Sequence, residues 1–165
     1  MEVIPATAVW DDPPALDAAW ERDAEVRQVV YFAVNPENRP ERGKEAISEF
    51  AAAAGETKKE ALIKVFSGLL AETNSLYGIT VVGIRSFILR AKILNEEVAE
   101  NDAKLAALSD ADVEQRQGLQ QARFWNFRNM DDAEEEAEFL CRRLNYLEEK
   151  LGLLTERVRA EMPSD

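Results

Sequence analysis

Histidine is absent from this 165-residue chain, and cysteine occurs once, as Cys141. The lack of histidine removes the commonest general base and zinc ligand, together with every Ser-His or Cys-His catalytic pair. A single cysteine excludes an intrachain disulfide, and a lone thiol is typical of a reducing compartment. We therefore expect a cytoplasmic protein or one from another reducing compartment, with an organelle interior as the alternative. We interpret Cys141 as a structural, partly covered residue.

Proline is missing from Glu41 to Met162, and the chain has only seven glycines. Because proline inside a helix costs ~3 kcal/mol or more, such a stretch favours long helices. One segment, Val26–Val34, is rich in the β-branched and aromatic residues that suit a strand. We favour a helix there, because no second segment offers a strand to pair with it. The sequence predicts an all-α fold.

Basic residues are few: 20 lysines and arginines face 32 acids, which gives a formal net charge of −12. This charge disfavours nucleic acid and anionic membranes as partners, and leaves a basic protein surface open. The densest acidic run is Asp131–Glu138. We interpret it as a solvated helix start, where the helix dipole favours acids. A metal site and a docking face for a basic partner are the alternatives, and we expect no metal and no cofactor.

A long hydrophobic run occurs only at Leu76–Leu94, and it contains Arg85, Arg90 and Lys92. Each of these charges would cost ~2.5–3.5 kcal/mol near a bilayer centre, so we predict a buried helix and no membrane span. The segment Met1–Trp10 lacks the basic start and apolar run of a secretory signal, so we expect no targeting segment.

Two apolar ladders are present in steps of three and four residues. Such steps keep side chains on one stripe of a helix, and another helix must cover that stripe. The first ladder is Ile84, Phe87, Ala91, Leu94, Val98, Asn101, Leu105 and Leu108. The second is Ala137, Leu140, Leu144, Leu147, Leu151, Leu154 and Val158. The side chains that we expect to meet a partner are Leu94, Val98, Asn101, Leu105, Leu144, Leu147, Leu151 and Leu154. Asn101 either fixes the helix register or marks an already exposed position.

These patterns predict five or six helices in a bundle with a long hairpin or coiled-coil arm. Residues 1–12 are expected to form an irregular N-terminal arm, and residues 13–162 a single helical domain. The long heptad helices are predicted at 84–108 and 132–161, because the apolar frame changes around Met130. The first helix is expected to begin after Asp12, with Pro13 or Pro14 in its opening turn.

The segment Thr57–Leu108 has two interpretations. Asn74, Ser75 and Gly78 favour a break, because these residues are weak helix formers. A heptad frame that continues from Ile63 favours one uninterrupted helix.

An aromatic cluster just before the predicted 132–161 helix combines Phe124, Trp125 and Phe127 with Arg123 and Arg128. Rings and cations together are typical of single-strand nucleic-acid platforms, but the surrounding charge is wrong for that role. We interpret the cluster as core packing or a protein interface.

No residue pattern identifies a catalytic, cofactor-binding or metal site. Gly43 and Gly55 are isolated, so a phosphate-binding loop is not indicated. We therefore expect a non-enzymatic protein–protein interaction module, a structural subunit or adaptor of a larger assembly that acts by helix-face packing. The partner is another protein, either in a homo-oligomer or in a hetero-complex. The alternative is a small acidic inhibitor, or polyanion mimic, that blocks a basic surface.

Overall fold

A computed structural model describes residues 3–109 and 111–163. These residues form α-helices and short 3-10 helices with no strand, which confirms the all-α prediction. The four α-helices are α1 (Ala24–Val34), α2 (Pro40–Ala53), α3 (Lys58–Ala107) and α4 (Val113–Glu161). The 3-10 helices are Ala6–Ala8, Ala18–Arg22 and Gly55–Thr57. The segment Val26–Val34 lies within α1, so the helical interpretation of it is confirmed.

Helices α3 and α4 are long, with 50 and 49 residues. The break expected at Asn74–Gly78 is absent, and so is the boundary expected near Met130. A weak helix former costs at most about 1 kcal/mol relative to alanine, whereas burial of a large apolar side chain contributes about 1.5–3 kcal/mol. Apolar residues such as Phe66 and Leu70 are buried beside the expected break, so packing outweighs local propensity.

The prediction of a helix that starts after Asp12 is wrong. Residues 13–17 are irregular, and α1 begins only at Ala24. Pro14 disfavours helical geometry for the residue before it, whereas Asp23 is a good N-cap. The Val26 N–H donates a hydrogen bond of 3.2 Å to the Asp23 carboxylate. This bond, with the Lys64 ammonium at 3.2 Å, lowers the pKa of Asp23.

The chain divides into two compact units, and the single helical domain of residues 13–162 stays a prediction. The first unit consists of the described residues of Met1–Ile79 and Leu144–Asp165. The second unit is Thr80–Arg143, described except at residue 110. Each unit therefore contains one part of α3 and one part of α4.

The first unit has a core built from all four helices. Its largest fully buried apolar side chains are Val26, Val30, Ile47, Leu62, Val65, Phe66, Leu69, Leu151, Leu154 and Val158. Gly68 lets α3 approach this core closely. A Cβ at Gly68 would lie 2.7 Å from Cγ2 of Val30 and 2.9 Å from Cε3 of Trp20.

The N-terminal residues pack on the first unit. The backbone N–H of Ile4 donates to Oδ1 of Asn74 at 2.7 Å, and Nδ2 of Asn74 donates to the Ile4 carbonyl at 3.0 Å. The Trp10 ring meets the Phe66 ring edge to face, with centroids 4.9 Å apart. Asn74, which favoured a helix break in the sequence, therefore anchors the predicted arm instead.

A buried lysine fastens the connection between α1 and α2. Nζ of Lys150 donates hydrogen bonds to the carbonyl oxygens of Asn35 and Asn38, at 2.6 and 2.7 Å. Only 2% of Lys150 is exposed, and this burial lowers its pKa to about 8. Asn35 is the C-cap of α1, so the ammonium satisfies a carbonyl that the helix itself leaves without a partner.

Candidate interaction faces

The second unit is an antiparallel pair formed by parts of α3 and α4 in one constant register. A Cβ at Gly83 would lie 2.9 Å from Cδ1 of Leu140, and Nδ2 of Asn126 donates a hydrogen bond of 3.0 Å to the Glu97 carboxylate. Nearer the turn, Nε of Arg123 lies 2.6 Å from Asp102. At the end of the pair, Nη2 of Arg116 donates a hydrogen bond of 3.3 Å to the Leu108 carbonyl. From the first contact to the last, the position moves 25 residues along α3 and 24 along α4. The two helices therefore stay in step along the whole unit.

The first ladder lies along the seam of this pair. All of its members are buried or half-buried, and Val98 is the most covered. On α4, the covered residues that match it in this register are Leu119, Asn126, Met130, Ala133, Ala137 and Leu140. These residues extend the second ladder back from Ala137 in steps of three and four, with Arg123 as a further member. The expected change of apolar frame at Met130 is wrong, because polar residues in the seam concealed a frame that continues.

The eight predicted interface residues are divided between the two units. Leu94, Val98, Asn101 and Leu105 are seam residues of the second unit, whereas Leu147, Leu151 and Leu154 are buried and Leu144 is half-buried in the first. Their role toward a partner stays a prediction. Because the chain itself covers them, a partner would meet other residues first.

Aliphatic side chains that sequence reasoning placed in a buried helix are exposed on α3. We call Val82, Ile88, Leu89 and Ile93 the aliphatic stripe; their exposed fractions are 66, 58, 58 and 47%. With about 100° of rotation per residue, Val82, Leu89 and Ile93 lie on the side of α3 opposite the seam. The expectation that this helix is buried on several sides is wrong for these positions.

The charges beside the aliphatic stripe have one sign. Thr80–Leu94 contains Arg85, Arg90 and Lys92 and no acid. Arg90 and Lys92 are exposed, and neither forms an ion pair with another residue of the described ranges. Within Thr80–Leu94 the outer side of α3 is therefore apolar with a basic border.

Helix α4 carries a different outer face, which we call the acidic–aromatic stripe: Trp125, Asp131, Asp132, Glu135, Glu136 and Phe139. All six side chains are exposed, and Trp125 meets Phe124 edge to face at 5.4 Å between centroids. Phe124 and Trp125 are more than half exposed and Phe127 is exposed as well, so the core interpretation of this cluster is wrong. The interpretation of the cluster as a protein interface stays a prediction.

The acidic run lies in the middle of α4, so the interpretation of it as a helix start is wrong. Helix α4 begins at Val113, well before Asp131, and the dipole effect is confined to the first turn. Like charges four residues apart, such as Asp131 and Glu135, cost about 0.2–0.5 kcal/mol per pair. Arg128 lies 3.9 Å from Asp132 and offsets part of this cost. Folding alone gives no reason for the remaining negative charge.

Other features offer less chemistry. No group of three or more acidic or sulfur-bearing side chains in residues 3–109 and 111–163 is arranged to hold a metal ion. Cys141 is exposed, so the expectation that it is partly covered is wrong. A groove of about 660 Å³ between α1 and α2 is lined by residues that include Phe32, Arg42 and Phe50. The Arg42 guanidinium stacks over the Phe32 ring, 5.3 Å from its centroid.

Within the part of the chain that the structure covers, no helix combines the length and the hydropathy that a membrane crossing needs. No protein-family model, curated protein or solved structure matches this chain.

Proposed function

We propose that this chain is a non-enzymatic protein–protein interaction module, a structural subunit or adaptor, that binds by helix-face packing. The observation that carries the proposal is the aliphatic stripe on α3. Positions opposite the seam of a helix pair are normally polar, because they face water. Here three large aliphatic side chains of the stripe, Val82, Leu89 and Ile93, occupy that side, each about half exposed or more, and Ile88 is exposed on its flank.

The stripe offers free energy for association. Full burial of a Val, Leu or Ile side chain is favourable by about 1.5–3 kcal/mol, so half-exposed members contribute roughly 1 kcal/mol each. The four together supply on the order of 4 kcal/mol, which a partner helix would realise by covering them. The first unit has its own core, so its packing does not account for the stripe.

A site-specific photo-crosslink tests the proposal. A crosslinking amino acid is placed at Leu89, in the stripe, and at Gln117, an exposed polar position of α4 in the same unit. We expect irradiation of the source cells to give discrete adducts from position 89 and none from position 117. Equal adduct patterns from both positions, or no adduct from position 89, would contradict the proposal.

The second candidate function is an acidic inhibitor that blocks a basic surface. The acidic run on α4 favours it, because the position of these acids in mid-helix costs stability. Binding through these acids would weaken steeply with salt, whereas binding through the aliphatic stripe would tolerate it. If the acids bind the partner, replacement of Glu134, Glu135 and Glu136 by lysine would abolish binding. If the aliphatic stripe binds it, Leu89→Ser would abolish binding instead.

A further inference from the structure

We propose that the occupant of the aliphatic stripe is the acidic–aromatic stripe of a second copy of this chain. This inference rests on the proposed function and names the partner of the same face. It follows from two comparisons of the stripes: their lengths match, and the charges beside them have opposite signs.

The lengths of the two stripes match. Val82 to Ile93 spans eleven residues of helix, about 17 Å, and Trp125 to Phe139 spans fourteen, about 21 Å. Two rings, 54 and 53% exposed, therefore stand at the ends of a segment just longer than the aliphatic stripe. Aromatic side chains are the commonest anchors of protein interfaces, and here they would bracket the aliphatic residues of the other copy.

The charged borders are complementary. On α3, Arg90 and Lys92 lie about 70° to either side of the line through the stripe, at about 100° of rotation per residue. On α4, Glu136 lies about 40° to one side of the line midway between Trp125 and Phe139, and Asp131 lies about 100° to the other side. All four charged side chains are exposed, and none forms an ion pair within the described ranges.

Pairing of like faces is unfavourable. Two α3 faces would set Arg90 and Lys92 against the same cations, and two α4 faces would set acids against acids. The contact is therefore between unlike faces. Since each stripe lies on the side of its helix away from the seam, the two faces of one copy point in different directions. Each copy then binds two neighbours, and the contact does not close on a pair.

The test compares the association of the native chain with that of charge-reversed variants. Sedimentation velocity of the full chain is expected to show a mass that rises with concentration above the monomer value of 18.6 kDa. The variant Arg90→Glu with Lys92→Glu, and separately the variant Asp131→Lys with Glu136→Lys, is expected to associate at least tenfold more weakly. The chain with all four substitutions, and an equimolar mixture of the two double variants, is expected to regain association, because opposite charges face each other again.

Circular dichroism and urea midpoints establish that each variant is folded, and we expect neither the helix content nor the midpoint to fall, because all four positions are exposed. A native chain that stays monomeric at about 100 µM, well above typical interface dissociation constants, would overturn the inference. So would association that survives either double variant or is not regained by the fourfold variant. In those cases the proposed function would still stand if the crosslinker at position 89 captured a protein other than this chain.

Discussion

Replacement of Gly68 by alanine is expected to destabilise the first unit, although alanine is the better helix former. The new methyl group would lie 2.7 Å from Cγ2 of Val30 and 2.9 Å from Cε3 of Trp20. Both neighbours are buried, with 0 and 4% of their surface exposed. The indole ring is rigid, so it cannot move aside by a small rotation as the end of a flexible chain would.

The magnitude follows from two opposing contributions. Glycine to alanine within a helix is favourable by about 1 kcal/mol. Overpacking of a close-packed core costs about 1–3 kcal/mol, so Gly68→Ala should change the free energy of unfolding from about zero to a loss of ~2 kcal/mol. Gly152 provides the matched control, because a Cβ there would meet nothing within 4 Å. Gly152→Ala should gain about 0.5–1 kcal/mol, and the difference between the two variants isolates the packing cost.

Urea denaturation followed by circular dichroism measures both variants, with the slope m checked for constancy. We expect the midpoint of Gly68→Ala to fall below that of Gly152→Ala by an amount that corresponds to about 1–3 kcal/mol. If Gly68→Ala gained as much stability as Gly152→Ala, the close approach of α3 to Val30 and Trp20 would be refuted.

Three further predictions concern polar groups. Burial lowers the pKa of Lys150 to about 8, so between pH 8 and 10.5 the unfolded chain binds more protons than the native one. As pH rises through this interval, the free energy of unfolding of the native protein should therefore increase by at most about 3 kcal/mol relative to that of Lys150→Met. Parallel pH profiles of the two unfolding free energies would contradict this prediction. Asp23→Ala should lower the free energy of unfolding, measured by urea denaturation, by about 1 kcal/mol. Asp23→Asn should lower it less, because asparagine keeps an acceptor for the Val26 N–H. Equal losses in the two variants would argue against the cap. Asn101→Leu should raise the free energy of unfolding by roughly 1 kcal/mol, because it replaces a half-buried amide in the seam by an apolar side chain. Urea denaturation measures this change, and an unchanged midpoint would indicate a solvated position.

The periodicity of apolar residues predicted the helices but not their ends. Steps of three and four placed the ladder on α3 correctly, because such steps depend only on helix geometry. Asn74 was judged from its weak helix propensity, which is a local property. Its amide bonds the backbone of Ile4, 70 residues away in the chain, and such a contact leaves no mark in the sequence around Asn74.

The outer faces of the second unit could not be predicted from the sequence for a related reason. A helix that is apolar all round is normally buried on several sides, so the aliphatic stripe was expected to be covered. A pattern of residues does not state how many neighbours a helix has. On α4, Arg123 and Asn126 interrupted the apolar frame and moved the expected helix start to Asp132. Extension of the second ladder backward in the same steps would have located the seam, and with it the acids on the outer face.

The constant register of α3 and α4 in the second unit limits how the length of this protein can change. Loss of a single residue from α3 would rotate every later side chain by about 100° and move the aliphatic stripe away from its present direction. Loss of seven residues from α3 alone would preserve the direction but leave α4 without matching positions. Natural variants of different length should therefore differ by whole heptads, removed or added on both helices at equal distances from the turn.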